Sequence, residues 1–174
     1  MEITSFASPL KYVILFIILV LVQVLICNNI LLFGVAIPFI FIYFIISLPL
    51  NTSLNLLMGT AFLMGFLVDL FSDTLGLNAL ACLLLSVLKK PIFYAYISKD
   101  DKFLGAVPCI STMGIINYLK FILTLSAIFC LLIFGIELFS FASIGRILAM
   151  ASASTVFTLL LLLATDALFN RESQ

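Results

Sequence analysis

Residues 65–77 read GFLVDLFSDTLGL, and this stretch holds a carboxylate, Asp69, inside sequence that is otherwise apolar enough to lie in lipid. An ionisable side chain in a membrane-spanning helix is costly, so it is normally paired or functional. The interpretation of the whole chain therefore depends on what surrounds Asp69.

Apolar side chains dominate the rest of the 174 residues. They make up 65% of the chain, whereas charged residues make up 9%, and a soluble domain carries about 25%. Apolar runs approach the length of about 20 residues that a helix needs to cross a bilayer. We therefore expect an integral membrane protein. A net charge of zero argues against nucleic-acid binding.

The apolar runs predict six transmembrane helices in one polytopic domain over residues 1–174. Their expected bounds are about 10–26, 31–50, 54–71, 75–97, 118–136 and 141–169. The predicted fold class is thus an all-α integral membrane bundle. Before the fifth helix, Gly105, Pro108 and Gly114 favour an interfacial or kinked approach over one long rod.

Basic residues indicate the orientation, because Lys and Arg in short loops favour the cytoplasmic side. With six crossings from a cytoplasmic start, Arg146 alone would lie near the far side. The other seven of the eight basic residues would lie at or near the cytoplasm: Lys11, Lys89, Lys90, Lys99, Lys102, Lys120 and Arg171. Both termini are therefore expected in the cytoplasm, with lysines near helix ends extending toward the headgroups.

Two predicted helices carry small residues spaced by four. The third helix has Ala61 and Gly65 on the same face as Asp69, and a similar stripe on the sixth helix comprises Gly145, Ala149 and Ala153. Small residues at this spacing let helices approach closely in a membrane. The stripes indicate either packing within the bundle or a docking face for a partner's helix.

Two hypotheses account for Asp69. Arg146 is expected about one turn inside the outer end of the sixth helix, at a similar depth, so it could pair with Asp69 or Asp73. Alternatively, Asp69 accepts hydrogen bonds from backbone N–H groups at the start of the fourth helix. Gly76 would then supply the tight backbone of the connecting turn.

The sequence predicts no catalytic, metal or cofactor site. Histidine is absent, which excludes Ser–His and Cys–His chemistry within the chain. The four cysteines lack C-x-x-C spacing. Asp69 would lie near the outer surface and Asp166 near the cytoplasmic end of the sixth helix, so the two carboxylates could not pair. We therefore expect that the protein is not an enzyme.

Residues 38–81 contain an ordered set of motif positions: Pro38, Tyr43, Leu48-Pro49, Gly59, Met64-Gly65, Asp69-Leu70, Ser72, Leu75-Gly76 and Ala79-Leu80-Ala81. An aromatic helix that ends in Leu-Pro is followed by a G-x-x-x-D-L-x-S pattern and a Leu-Gly pair. This order resembles that of the MreD family of rod shape-determining proteins. Gln23, late in the first helix, also fits.

The resemblance implies a non-enzymatic subunit of the machinery that builds lateral-wall peptidoglycan in rod-shaped bacteria, located in the cytoplasmic (inner) membrane. The implied direct partner is MreC, a single-span protein with a periplasmic domain. Through MreC the subunit would connect with the actin-like MreB, a RodA-type glycosyltransferase and a class B penicillin-binding protein. A face of small residues would receive the partner's transmembrane helix.

The same family is similar in helix arrangement to the substrate-binding membrane subunits of energy-coupling factor transporters. In that alternative, the helices would enclose a small-molecule pocket near the outer face, lined by Asp69, Asp73, Asn78 and Arg146. A ligand site needs several convergent polar groups. The chain offers few of them, which favours the scaffold over the transporter subunit.

Overall fold

The computed structural model describes residues 7–29, 37–74, 76–97, 106–137 and 144–169. Within these ranges the chain forms helices and no strand, which confirms the all-α prediction. The helices are α1 (Ala7–Leu25), α2 (Ile42–Ser47), α3 (Leu54–Ser72), α4 (Leu77–Tyr96), α5 (Ile110–Met113), α6 (Ile115–Glu137) and α7 (Ile144–Phe169), with a 3-10 turn at Cys27–Asn29.

Four helices are long and apolar enough to cross a membrane: Leu54–Ser72, Leu77–Tyr96, Ile115–Ile136 and Ile147–Leu168. In α1, the shorter stretch Leu10–Leu25 is also apolar. Large apolar side chains on these helices are exposed on the outside of the bundle, among them Leu56, Phe66 and Leu160. Such an exterior is suited to lipid, and it indicates a membrane protein.

Five of the expected helices occur as α1, α3, α4, α6 and α7, with described ends within three residues of the predicted bounds. The expected kink before the fifth helix is also present. There α5 and α6 are separated by Gly114, which has a φ of 74°. α4 continues through Pro91 as far as Tyr96.

The structure corrects the prediction of one helix over residues 31–50. Residues 31–36 lie outside the described part of the chain, residues 37–39 are not helical, and α2 has only six residues. Pro38 supplies part of the physical reason, because proline lacks an N–H group and disfavours helical backbone at the residue before it. We call residues 37–47 the crossing segment.

The crossing segment lies in the centre of the bundle. Every residue from 38 to 47 is buried. Its rings Phe39 and Phe41 pack edge-on against Phe129 of α6, with centroid distances of 5.1 and 5.6 Å. Irregular backbone at membrane depth is tolerated only where protein covers it, and this location meets that condition.

Hydrogen bonds show how the chain runs from end to end. Asn28, just after α1, donates to Ser72 at the end of α3, at 2.5 Å. We call this the Asp69 end of the bundle, because Asp69 and the start of α4 lie there as well. At the opposite end, Lys90 of α4 donates to the carbonyl of Thr52, just before α3, at 3.0 Å.

Between Asn28 and Thr52 the chain therefore passes along the length of α3 by way of the crossing segment. Tyr43 of α2 donates to Asp166 near the end of α7, at 3.3 Å. We call the end of the bundle that holds Thr52 and Lys90 the Asp166 end. Tyr118, near the start of α6, lies close to the same carboxylate. Within the described residues, α1 thus begins at the end of the bundle where α7 finishes.

Candidate functional site

Asp69 lies at the junction of α3 and α4, and its side chain is only 3% exposed. Its Oδ1 atom accepts hydrogen bonds from the Thr74 hydroxyl (2.5 Å), the Asn78 backbone N–H (3.1 Å) and the Asn78 side-chain amide (2.9 Å). Its Oδ2 atom accepts from the Ala79 backbone N–H at 2.8 Å. The carboxylate thus caps the first turn of α4 from a position on α3.

The chain reaches this geometry by a tight reversal. Asp73 has a φ of 54° and Gly76 a φ of 79°, so both adopt the left-handed backbone region. The N–H groups of Asp73 and Thr74 both donate to the Asp69 carbonyl. Glycine adopts positive φ without a steric penalty, and this is the role that the sequence predicts for Gly76.

Gly65 permits the close contact between α3 and α4. A Cβ atom at this position would meet the Asn78 carbonyl oxygen at 2.5 Å and the Ala79 Cα at 2.6 Å. Both are backbone atoms, which cannot move aside as a flexible side chain would. Gly65 therefore allows the start of α4 to lie against α3, where the Asp69 carboxylate reaches its N–H groups.

The small-residue stripes have different environments. Ala61 and Gly65 are buried within the bundle, against α4 in the case of Gly65. On α7, Gly145 and Ala149 are exposed and Ala153 is half-buried. The α3 stripe therefore serves internal packing, whereas the α7 stripe faces mostly outward.

The two charged residues proposed as partners of Asp69 differ in what the structure describes. Asp73 is exposed in the loop after α3. The side chain of Arg146 lies outside the described part of the chain, so its pairing with Asp69 or Asp73 stays a hypothesis. The four described hydrogen bonds to Asp69 all come from neutral donors.

A second polar cluster is centred on Gln23 of α1, whose side chain is fully buried. Its Oε1 atom accepts from the backbone N–H of Ile40, and its Nε2 atom donates to the carbonyl of Pro38, both at 3.0 Å. Nε2 also donates to Asn28 Oδ1 at 2.9 Å. The amide thus supplies the crossing segment with one acceptor and one donor.

Asn28 and Ser72 connect this cluster to α3. The Asn28 amide donates to the Ser72 hydroxyl, which donates to the Val68 carbonyl at 2.7 Å. Asp69 follows Val68 directly in the chain and reaches the start of α4. The hydrogen bonds of Gln23, Asn28 and Ser72 therefore join α1, the crossing segment and α3, and the separate cap by Asp69 joins α3 to α4.

A third set of contacts joins the crossing segment to α7. The backbone N–H of Ile37 donates to the Ser154 hydroxyl at 3.0 Å, and that of Phe39 donates to the Thr158 hydroxyl at 3.1 Å. Two extended residues rise about 6.6 Å, and four helical residues rise about 6 Å. The N–H groups of Ile37 and Phe39, two residues apart in non-helical backbone, therefore match hydroxyls spaced by four on α7.

The next position of the same α7 stripe is apolar. Leu162, four residues after Thr158, is fully buried and has no side-chain acceptor. The crossing segment turns at residues 40–41 and begins α2. Asp166, four residues further along, accepts the hydrogen bond of Tyr43. We call Ser154, Thr158, Leu162 and Asp166 the α7 track.

Lys89 is a second departure from the sequence expectation. Instead of extending to the headgroups, it is fully buried, and its ammonium group donates to the carbonyl of Leu48. Leu48 is the C-cap of α2, where a cation interacts favourably with the helix dipole. Lys89 and Lys90 thus fasten the loop between α2 and α3 to α4.

Most of the polar side chains described above therefore form hydrogen bonds with backbone N–H or carbonyl groups. Within the described ranges, no group of three or more Cys, Asp or Glu side chains is arranged to hold a metal ion. Sequence reasoning missed the α7 track and the buried position of Lys89. A usable signal for the track was the spacing of Ser154, Thr158 and Asp166 by multiples of four within an apolar helix.

Comparisons of the chain with models of known protein families, with curated proteins and with solved structures gave no match. The arguments for function therefore come from the chain's own residues and from the motif resemblance described above.

Proposed function

We propose that this protein is a non-enzymatic, MreD-like subunit of the bacterial cell-elongation machinery, acting as a membrane scaffold for cell shape and peptidoglycan synthesis. The observation that carries the proposal is the position of the motif residues. Gln23, Pro38 and Ser72 lie at the hydrogen bonds that join α1, the crossing segment and α3, and Gly65 and Asp69 lie at the contact between α3 and α4. These motif residues thus occupy the contacts between four elements of the bundle.

The proposal places the protein in the cytoplasmic membrane with six crossings and both termini in the cytoplasm. The crossing segment would supply the second crossing, alongside α1, α3, α4, α6 and α7. Lys11 and Lys120 are exposed near the starts of α1 and α6, at the Asp166 end. Asp73 is exposed at the other end. This distribution of charge supports a cytoplasmic Asp166 end.

The outward side of α7 is the proposed contact for MreC. Gly145, Ala149 and Ser152 are exposed there, one helical turn apart. Small residues allow a second helix to approach closely, and van der Waals packing then drives association within lipid. Through MreC the subunit would hold MreB, a RodA-type glycosyltransferase and a class B penicillin-binding protein in one complex.

The transporter alternative requires Asp69 and Asn78 to face a ligand. Both oxygens of Asp69 instead accept hydrogen bonds from the start of α4, and the Asn78 amide nitrogen donates to Asp69. A ligand would have to compete with these bonds. This geometry favours the scaffold.

Affinity purification tests the proposal. The tagged protein is extracted in mild detergent, and the copurifying proteins are identified by mass spectrometry. Recovery of MreC with peptidoglycan synthases supports the scaffold. Recovery of ABC-type ATPases with a coupling subunit, and no MreC, would replace it with the transporter subunit.

A matched pair of variants tests the docking face. Gly145 on α7 and Gly59 on α3 are both exposed, and an added Cβ at either position meets no atom within 4 Å. Gly145→Leu should lower the recovery of MreC, because it fills the space that a packed helix needs. Gly59→Leu should leave the recovery unchanged. Equal effects of the two variants would contradict the α7 face.

A further inference from the structure

We infer that the upper part of the crossing segment, residues 37–41, opens and closes together with α7, as a cooperative unit distinct from the α3–α4 hairpin. The inference rests on where each backbone group of this segment finds its partner. It concerns how the fold assembles and opens, and it does not depend on the proposed function.

The partners of the crossing segment come late in the chain. Ser154 lies 117 residues after Ile37, and Thr158 lies 119 residues after Phe39. Further along the crossing segment, Tyr43 bonds to Asp166, which lies 123 residues after it. The α3–α4 hairpin differs, because the donors to Asp69 lie within ten residues of it. The hairpin contains its own partners, whereas the crossing segment depends on α7.

The energetic link is the need to satisfy buried N–H groups. Gln23 serves only Pro38 and Ile40 within the segment. If α7 moves away, the N–H groups of Ile37 and Phe39 lose their acceptors in an apolar surrounding, where no water replaces them. The non-helical conformation of residues 37–39 and the docked α7 are therefore favourable only together. Beyond Tyr43, Lys89 of α4 donates to the carbonyl of Leu48, the residue that follows the crossing segment.

Native-state hydrogen exchange of the full-length protein in detergent tests this inference. In the double variant Ser154→Ala/Thr158→Val, exchange at the amides of Ile37 and Phe39 should rise by about tenfold, because each loses its acceptor. Amides at residues 78–80 of α4 should be unchanged. Ser152→Ala is the matched control, since the exposed Ser152 hydroxyl, within the described part of the chain, bonds to the Ala149 carbonyl of the same helix.

A reciprocal variant completes the test. Asp69→Asn removes acceptor capacity from the start of α4, so it should raise exchange at residues 78–80 and leave residues 37–40 unchanged. Loosening of both regions by either variant would overturn the inference, and so would unchanged exchange at Ile37 and Phe39 in the double variant.

The unmodified protein provides a test that does not require a variant to fold. Under conditions in which each opening leads directly to exchange, peptides covering residues 37–41 and the second half of α7 should exchange at one common rate. Peptides from α3 and the start of α4 should exchange at a different rate. Exchange of residues 37–41 at the rate of the α3–α4 hairpin would overturn the inference.

Discussion

The α3–α4 hairpin and the crossing segment are both buried, and both place polar groups at membrane depth, yet they are built in opposite ways. In the hairpin, Asp69 finds its donors within ten residues. In the crossing segment, the N–H groups of Ile37 and Phe39 find acceptors more than 100 residues away. The comparison shows that side chains such as Asp69, Ser154 and Thr158 complete backbone hydrogen bonds, whether the partner is near or far in sequence.

The largest expected effect tests the hairpin. Asp69→Ala leaves two buried backbone N–H groups and the Asn78 amide without their acceptor, at about 1–3 kcal/mol for each group. It should therefore lower the unfolding free energy more than any other single change described below. Thermal unfolding in detergent measures the loss. Asp73→Asn is the control, because Asp73 is exposed and Asn also adopts positive φ.

If Asp73→Asn destabilised the protein as much as Asp69→Ala, the cap would not explain the burial of Asp69.

The next effect tests the crossing segment from the side of α1. Gln23→Leu keeps a side chain of similar size but removes the acceptor for the Ile40 N–H and the donor for the Pro38 carbonyl. We expect a loss of about 2–3 kcal/mol, since two buried backbone groups lose their partners. Thr60→Val on α3 is the control, because the described hydrogen bonds of the Thr60 hydroxyl lie within its own helix. A fully stable Gln23→Leu protein would argue against the role of Gln23 in holding the crossing segment.

Two glycines on one helix sharpen the comparison further. Gly65→Ala places a Cβ within 2.6 Å of α4 backbone atoms, so it should destabilise the protein by about 1–3 kcal/mol through overpacking. Gly59→Ala on the exposed side of α3 meets no neighbour, and it should stabilise the helix by up to about 1 kcal/mol. Opposite shifts in the unfolding temperature are the expected result; shifts of the same sign and size would refute the close contact.

The smallest effect concerns the turn. Gly76 has a φ of 79° and open space around it, so Gly76→Ala should cost only the backbone strain, about 1–2 kcal/mol. Gly76→Asn should cost less, because Asn tolerates positive φ better than Ala. The difference between the two variants in thermal unfolding isolates backbone conformation from packing. Equal losses would mean that side-chain size, and not φ, limits this position.

The hairpin could be predicted from the sequence because its determinants are local. The positions of α3 and α4, the cap by Asp69 and the turn at Gly76 all depend on residues 65–79. The pairing of Asp69 with Arg146, by contrast, was a long-range hypothesis, and it stays untested. The features of the hairpin that the sequence predicts and the structure describes therefore depend on residues close to one another in the chain.

The crossing segment could not be predicted in the same way. Apolar residues over 31–50 indicate a helix by composition, and Pro38 is the local signal against it. What holds residues 37–41 in place is set by Gln23 on α1 and by Ser154 and Thr158 on α7. Lys89 is similar, because its partner is a carbonyl of another element. Hydropathy does not report such contacts.

The register of the crossing segment along α7 is the most direct test of this account. In a protein whose four native cysteines are replaced, cysteine pairs are introduced at residues 37 and 154, at 43 and 166, and at 43 and 162. A short bifunctional thiol reagent then reports proximity in membranes. If residues 37–39 are not helical and the chain turns at residues 40–41, the pairs 37/154 and 43/166 cross-link readily and 43/162 more slowly. A continuous helix would advance only about half as far along α7, so preferential cross-linking of 43 with 162, while 37 still cross-links with 154, would contradict the account.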